Sequence, residues 1–144
     1  MRTGILLLLS VAAASDLKTR SIPVIPVTLF AAALLGIRFL YFHQETSPAV
    51  FLAGAVPGVL LFLISIASRG AAGGGDALLL LFLGLIAGFW NALLICFLAL
   101  VLTGFSGLGL MAMGKAGRRT KLPFVPFLLM SYVLLLASGF LEIA

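Results

Sequence analysis

The 144-residue chain is 63% hydrophobic and only 9% charged, where a water-soluble domain carries about 25% charged residues. That supply cannot cover a water-facing surface, so lipid is the expected solvent over most of the chain. The net charge of +5 comes without a basic face interleaved with aromatics, which excludes nucleic acid as the expected partner. The single cysteine, Cys96, lies in an apolar run and has no metal-ligand spacing to another Cys or to His43. It reads as a small buried apolar residue, and His43 as a loop histidine beside Gln44 and Glu45.

A helix rises about 1.5 Å per residue, and a bilayer core is about 30 Å thick, so a crossing needs about 20 apolar residues. The sequence predicts an all-α, polytopic membrane protein of about six transmembrane helices in one domain, 1–144. The first apolar run, from about Gly4 to Ser15, is short for a crossing and suits a helix that ends near the membrane interface. With Arg2 ahead of it and Ala12-Ala13-Ala14 at its end, it also resembles a secretory signal peptide, although Lys18 and Arg20 follow at once. The second span is expected from Pro23 to about Phe42, with Arg38 near its outer end, where it could snorkel. The third is expected from Pro48 to Ser68.

No charge occurs from Ala77 to Gly114, a length sufficient for nearly two crossings. Gly88-Phe89-Trp90-Asn91 is the natural turn between the fourth and fifth spans, with Trp90 as an interfacial aromatic. The sixth span is expected from Pro123 to about Leu141. If the segment after the first span is cytoplasmic, the inside loops hold Lys18, Arg20, Arg69, Lys115, Arg118, Arg119 and Lys121, seven of the nine basic residues. This satisfies the positive-inside rule and puts both termini outside.

The chain has two aspartates, Asp16 and Asp76. The topology drawn from the basic residues brings both to the cytoplasmic side at one depth. Either alone reads as an interfacial residue, and Asp76 would suit the N-terminal dipole of its helix. As a pair they read as functional, because ionisable groups at membrane depth are costly. Two adjacent carboxylates share a proton and so offer an acid and a base together; such a pair titrates as a unit. Ahead of Asp76, Ala71-Ala72-Gly73-Gly74-Gly75 has almost no side-chain volume. It would let a substrate strand or another helix lie directly against the backbone, or would form a flexible loop.

Gly73-Gly74-Gly75-Asp76 resembles the Gly-x-Gly-Asp signature of type IV prepilin peptidases. Asp16-Leu17-Lys18-Thr19-Arg20-Ser21-Ile22-Pro23 is similar to that family's first motif, and Lys121-Leu122-Pro123-Phe124-Val125-Pro126-Phe127-Leu128 to its late Pro-Phe-x-Pro-Phe segment. The resemblance implies an aspartic endopeptidase of the inner membrane, acting at the cytoplasmic face with Asp16 and Asp76 as catalytic residues. The implied substrate is a prepilin-like or Flp-type pilin precursor, cut between its basic leader and its apolar helix, with no metal or cofactor. Larger members carry paired Cys-x-x-Cys motifs linked to methylation of the new N-terminus; with Cys96 alone, peptidase activity without methyltransferase activity is expected. Val24 and Leu78 depart from the family pattern, which often has Asn and Lys there, and bear on substrate contacts. A small proton- or cation-coupled transporter is the alternative, lined by residues such as Thr28, Ser65, Asn91 and Thr103; a catalytically silent assembly protein of the same fold is another.

Overall fold

A computed structural model describes residues 2–19, 24–42, 47–67, 74–114 and 123–141. They form seven α-helices and, among the described residues, no strand: α1 (Arg2–Thr19), α2 (Val24–Phe42), α3 (Pro48–Ala53), α4 (Val56–Ala67), α5 (Gly74–Ala87), α6 (Phe89–Ala112) and α7 (Val125–Ala137). Each apolar segment marked out by the sequence is helical, with three differences in detail, the smallest being that α7 ends at Ala137, short of the expected Leu141.

The first helix does not stop at Ser15 but runs on through Asp16 to Thr19. Its 18 residues span about 27 Å at 1.5 Å each. Ile5, Leu8, Leu9, Ala12 and Ala13 recur along one face of it and are buried, so tertiary packing carries the helix past its polar end.

The expected third span is broken. Gly54 ends α3, and α4 begins at Val56 with Pro57 in its first turn, where a missing N–H costs nothing. The break seats this segment on α5 at unusually short range. A Cβ at Gly54 would stand 2.3 Å from the Gly84 carbonyl oxygen, one at Gly84 would stand 1.9 Å from that of Gly54, and one at Gly58 would meet the Leu81 backbone. Gly54 and Gly58 are four residues apart, the small-xxx-small spacing that lets membrane helices touch backbone to backbone.

The charge-free run turns where expected. Gly88 separates α5 from α6 with φ +91°, a left-handed conformation open to glycine. The carbonyls that end α5 find partners at this turn: Gly84 accepts from the Gly88 N–H at 2.8 Å and Ala87 from Asn91 Nδ2 at 2.8 Å. The Ile86 carbonyl accepts from the Arg38 guanidinium of α2. Arg38 therefore does not merely snorkel; it closes the C-terminal end of a neighbouring helix, where a cation is favoured.

Packing runs in a closed ring, α1 against α7, α7 against α6, α6 against α5, α5 against α2, and α2 back against α1. The α3–α4 segment lies outside it, on α5 and α6. The core is the inner face of the ring, with Leu79, Leu80, Leu83, Ile86, Ile95, Leu128 and Tyr132 fully buried. The outer face is also apolar. Ile25 is 74% exposed, Leu40 80% and Phe105 72%, a surface that water would penalise heavily and lipid would not. Among the described residues, two stretches, Pro48–Ala67 and Phe89–Ala112, are long and apolar enough to cross a bilayer by length and composition, with mean hydropathies of 2.5 and 2.4.

Candidate active site

Asp16 and Asp76 reach one end of the ring from opposite chain directions. Asp16 lies in the last turn of α1, and Asp76 in the first turn of α5. Asp16 is buried and Asp76 half-buried. They are close enough for the charge of Asp16 to act on Asp76. Two residues sixty positions apart have thus become electrostatic neighbours, held there by α2 and α7, which fill the ring between α1 and the α5–α6 hairpin.

A third element enters the site. The Val125 N–H, at the start of α7, donates to Asp16 Oδ2 at 3.3 Å in a buried setting. The local sequence leaves that amide as the open donor of its turn. Pro126 has no N–H. Phe127 and Leu128 both donate to the Phe124 carbonyl, each at 3.1 Å. Phe124 caps the helix without a side-chain bond. A carboxylate is the natural partner for such an amide, since the N-terminal end of a helix favours negative charge. The sequence segments around Asp16 and Val125, 109 positions apart, therefore meet at one atom pair.

Among the sequence-predicted site residues, Gly74 and Gly75 form the start of α5; Gly73 lies outside the described residues. Gly74 uses neither liberty that glycine offers. It is helical rather than at positive φ, and a Cβ there would meet nothing within 4 Å. Close backbone approach between helices is seen at Gly54, Gly58 and Gly84. Lys18 is exposed next to the site and Leu78 is half-buried. The basic residues from Arg20, Arg69 and Lys115 to Lys121, and the His43–Glu45 stretch, lie outside the described residues.

The side chains named for a transport path turn inward on their own helices. Thr28 Oγ1 donates to the Ile25 carbonyl at 2.9 Å, Asn91 Nδ2 to that of Ala87 at 2.8 Å and Thr103 Oγ1 to that of Ala99 at 2.7 Å. Such back-bonds satisfy a hydroxyl or amide in an apolar setting. Ser65, the fourth, is buried on α4.

Sequence reasoning passed over one participant, the Val125 amide. Its signal was present in the Phe124-Val125-Pro126 order, where a proline at the second helical position removes one donor and leaves its neighbour exposed to a partner.

Comparison with known proteins gives one positive result. A family model described as the type IV leader peptidase family matches residues 4–108, a stretch that holds both aspartates and ends before α7. No curated protein matches significantly, and no solved structure does.

Proposed function

The chain belongs to the type IV leader peptidase family, and on that premise we propose that it is a membrane-embedded aspartic endopeptidase using Asp16 and Asp76. The substrate in this reading is a type IV prepilin-like or Flp-type pilin precursor, cut at the junction of its basic leader and its apolar helix. The supporting observation is that the chain's two aspartates lie at one end of the ring, Asp16 in the last turn of α1 and Asp76 in the first turn of α5.

The chemistry follows from sharing one proton between two carboxylates. The ionised member takes a proton from water as its oxygen adds to the scissile carbonyl carbon. The protonated member hydrogen-bonds the carbonyl oxygen and stabilises the charge that develops there. When the tetrahedral species collapses, the C–N bond breaks and a carboxyl proton passes to the departing nitrogen. Neither carboxylate can hold the proton and the charge at once, so each is required.

In the same reading, six crossings of the inner membrane put both termini outside and the aspartate end at the cytoplasmic face. A cysteine introduced between 114 and 122 should then react with a membrane-impermeant reagent only from the cytoplasmic side. Labelling from the periplasm would refute that orientation.

The activity test uses the purified full chain and a designed precursor with a Lys- and Arg-containing leader ahead of one apolar helix. Cleavage should occur at that junction and should survive a chelator. Asp16→Asn and Asp76→Asn should each lower the rate by about a thousandfold while the protein still inserts. Near-normal cleavage by Asp76→Asn, or its loss with chelator, would overturn the two-aspartate mechanism and favour the transporter reading.

A further inference from the structure

We propose that the Val125 amide is the positioning group of the site: the N-terminal end of α7 fixes the Asp16 carboxylate through Oδ2 and so presents its other oxygen to the chemistry. This rests on the peptidase reading and deepens it.

Three observations converge on that role. Asp16 sits on α1, whose last turn has only a short way to run before the helix ends at Thr19, so the helix alone would leave the side chain free to rotate. The amide that meets it is buried and belongs to another helix, which converts a local rotamer choice into a tertiary constraint. Finally, the neighbouring amides are absent at Pro126 and spent at Phe127 and Leu128, so the α7 turn offers Asp16 one seat rather than a range of them. A carboxylate bound through one oxygen at a fixed amide has its plane and its second oxygen set. Orientation of this kind matters because displacement of a reacting group by about 1 Å can cost on the order of a hundredfold.

The anchor also defines how the pair can move. Asp16 is tied to α7, while Asp76 rides on α5, which is gripped by the α3–α4 segment through Gly54, Gly58 and Gly84. The two carboxylates therefore belong to differently anchored helices. Any closure of the pair on substrate carries α1 and α7 together.

The amide can be deleted without changing a side chain. Replacing Val125 by its α-hydroxy acid through nonsense suppression gives an ester, which keeps the isopropyl group and removes the N–H. The matched control is the same ester replacement at Leu128, whose N–H donates to Phe124 within the helix. Each ester removes one N–H donor in the first turn of α7 and weakens the preceding carbonyl as an acceptor, but only the first touches Asp16. With the designed precursor, the ester at 125 should lower kcat by roughly tenfold to a hundredfold and leave KM near the unmodified value. The ester at 128 should leave both constants near the unmodified values.

Equal loss from the two esters would reduce the contact to ordinary helix stability and overturn the proposal. Full kcat in the ester at 125 would overturn it as well, while leaving the peptidase reading intact. Failure of the unmodified chain to cleave the precursor would remove the peptidase reading and this role with it. A readout independent of turnover is the amide proton resonance of Val125 in valine-labelled protein, which should shift on Asp16→Asn; an unmoved resonance would show that the contact is not made.

Discussion

The two ends of the helix ring use polar groups in opposite ways. At the end where α5 meets α6, Arg38 goes to the Ile86 carbonyl, Asn91 to that of Ala87, and the Tyr132 hydroxyl to that of Arg2 at 3.0 Å. The first two close backbone acceptors at the end of α5 that an apolar surrounding would otherwise punish, and the third ties α7 to the start of α1. At the other end, two acids of like charge are set within electrostatic reach of each other. The Val125 amide satisfies one oxygen of Asp16, but nothing in folding requires a second carboxylate nearby. One end is built for stability, and the other carries an arrangement that stability alone would not select.

The largest effect expected from this contrast separates activity from stability. Asp76→Asn should lower cleavage by about a thousandfold, yet raise the unfolding free energy by up to ~1 kcal/mol, because the cost of half-burying an ionisable carboxyl beside Asp16 disappears. Chemical unfolding in detergent would read the second quantity. A clear loss of stability would mean that Asp76 is a structural residue and would erase the contrast.

Next in size is Gly84→Ala. The added methyl would collide with the Gly54 carbonyl, a backbone group unable to swing aside. A loss of about 3 kcal/mol is expected, with cleavage by the surviving folded fraction unchanged in KM. Arg38→Met should cost about 1–2 kcal/mol by leaving the Ile86 carbonyl without its donor. Its kcat should stay near the parent value, since Arg38 lies at the opposite end from the aspartates. A large fall in kcat at full stability would show the ends to be coupled. Smallest is Gly74→Ala, where the methyl meets open space in a helical residue; stability should change by less than about 1 kcal/mol, on the gaining side. Should this change abolish cleavage without altering stability, the room beside Gly74 would be occupied by substrate.

How far the sequence reveals this arrangement depends on the kind of signal involved. The α5–α6 turn is legible because a long charge-free run must fold back and Gly88 is followed by aromatic and polar residues. The aspartate end is legible because the chain has only two aspartates and the alternation of apolar runs brings them to the same end. The passage of α1 through Asp16 to Thr19 is not, since composition reports where apolarity ends, while packing decides where the helix ends. The break between α3 and α4 is partly written in Gly54 and Pro57, but its purpose appears only when Gly84 arrives from a different segment. The Asp16–Val125 bond is the least legible feature, because one of its partners is a backbone atom carried by nineteen of the twenty residue types.

That last property bears on inheritance. A contact supplied by the peptide chain itself is indifferent to the side chain at position 125, so this part of the site can be retained while the residue changes. An alanine scan would register at Val125 only a lost apolar volume, since the side chain is fully buried, and would miss the contact. Proline, which deletes the donor, is the one coded replacement that would expose it. The site thus keeps one of its fastenings where ordinary mutation rarely reaches.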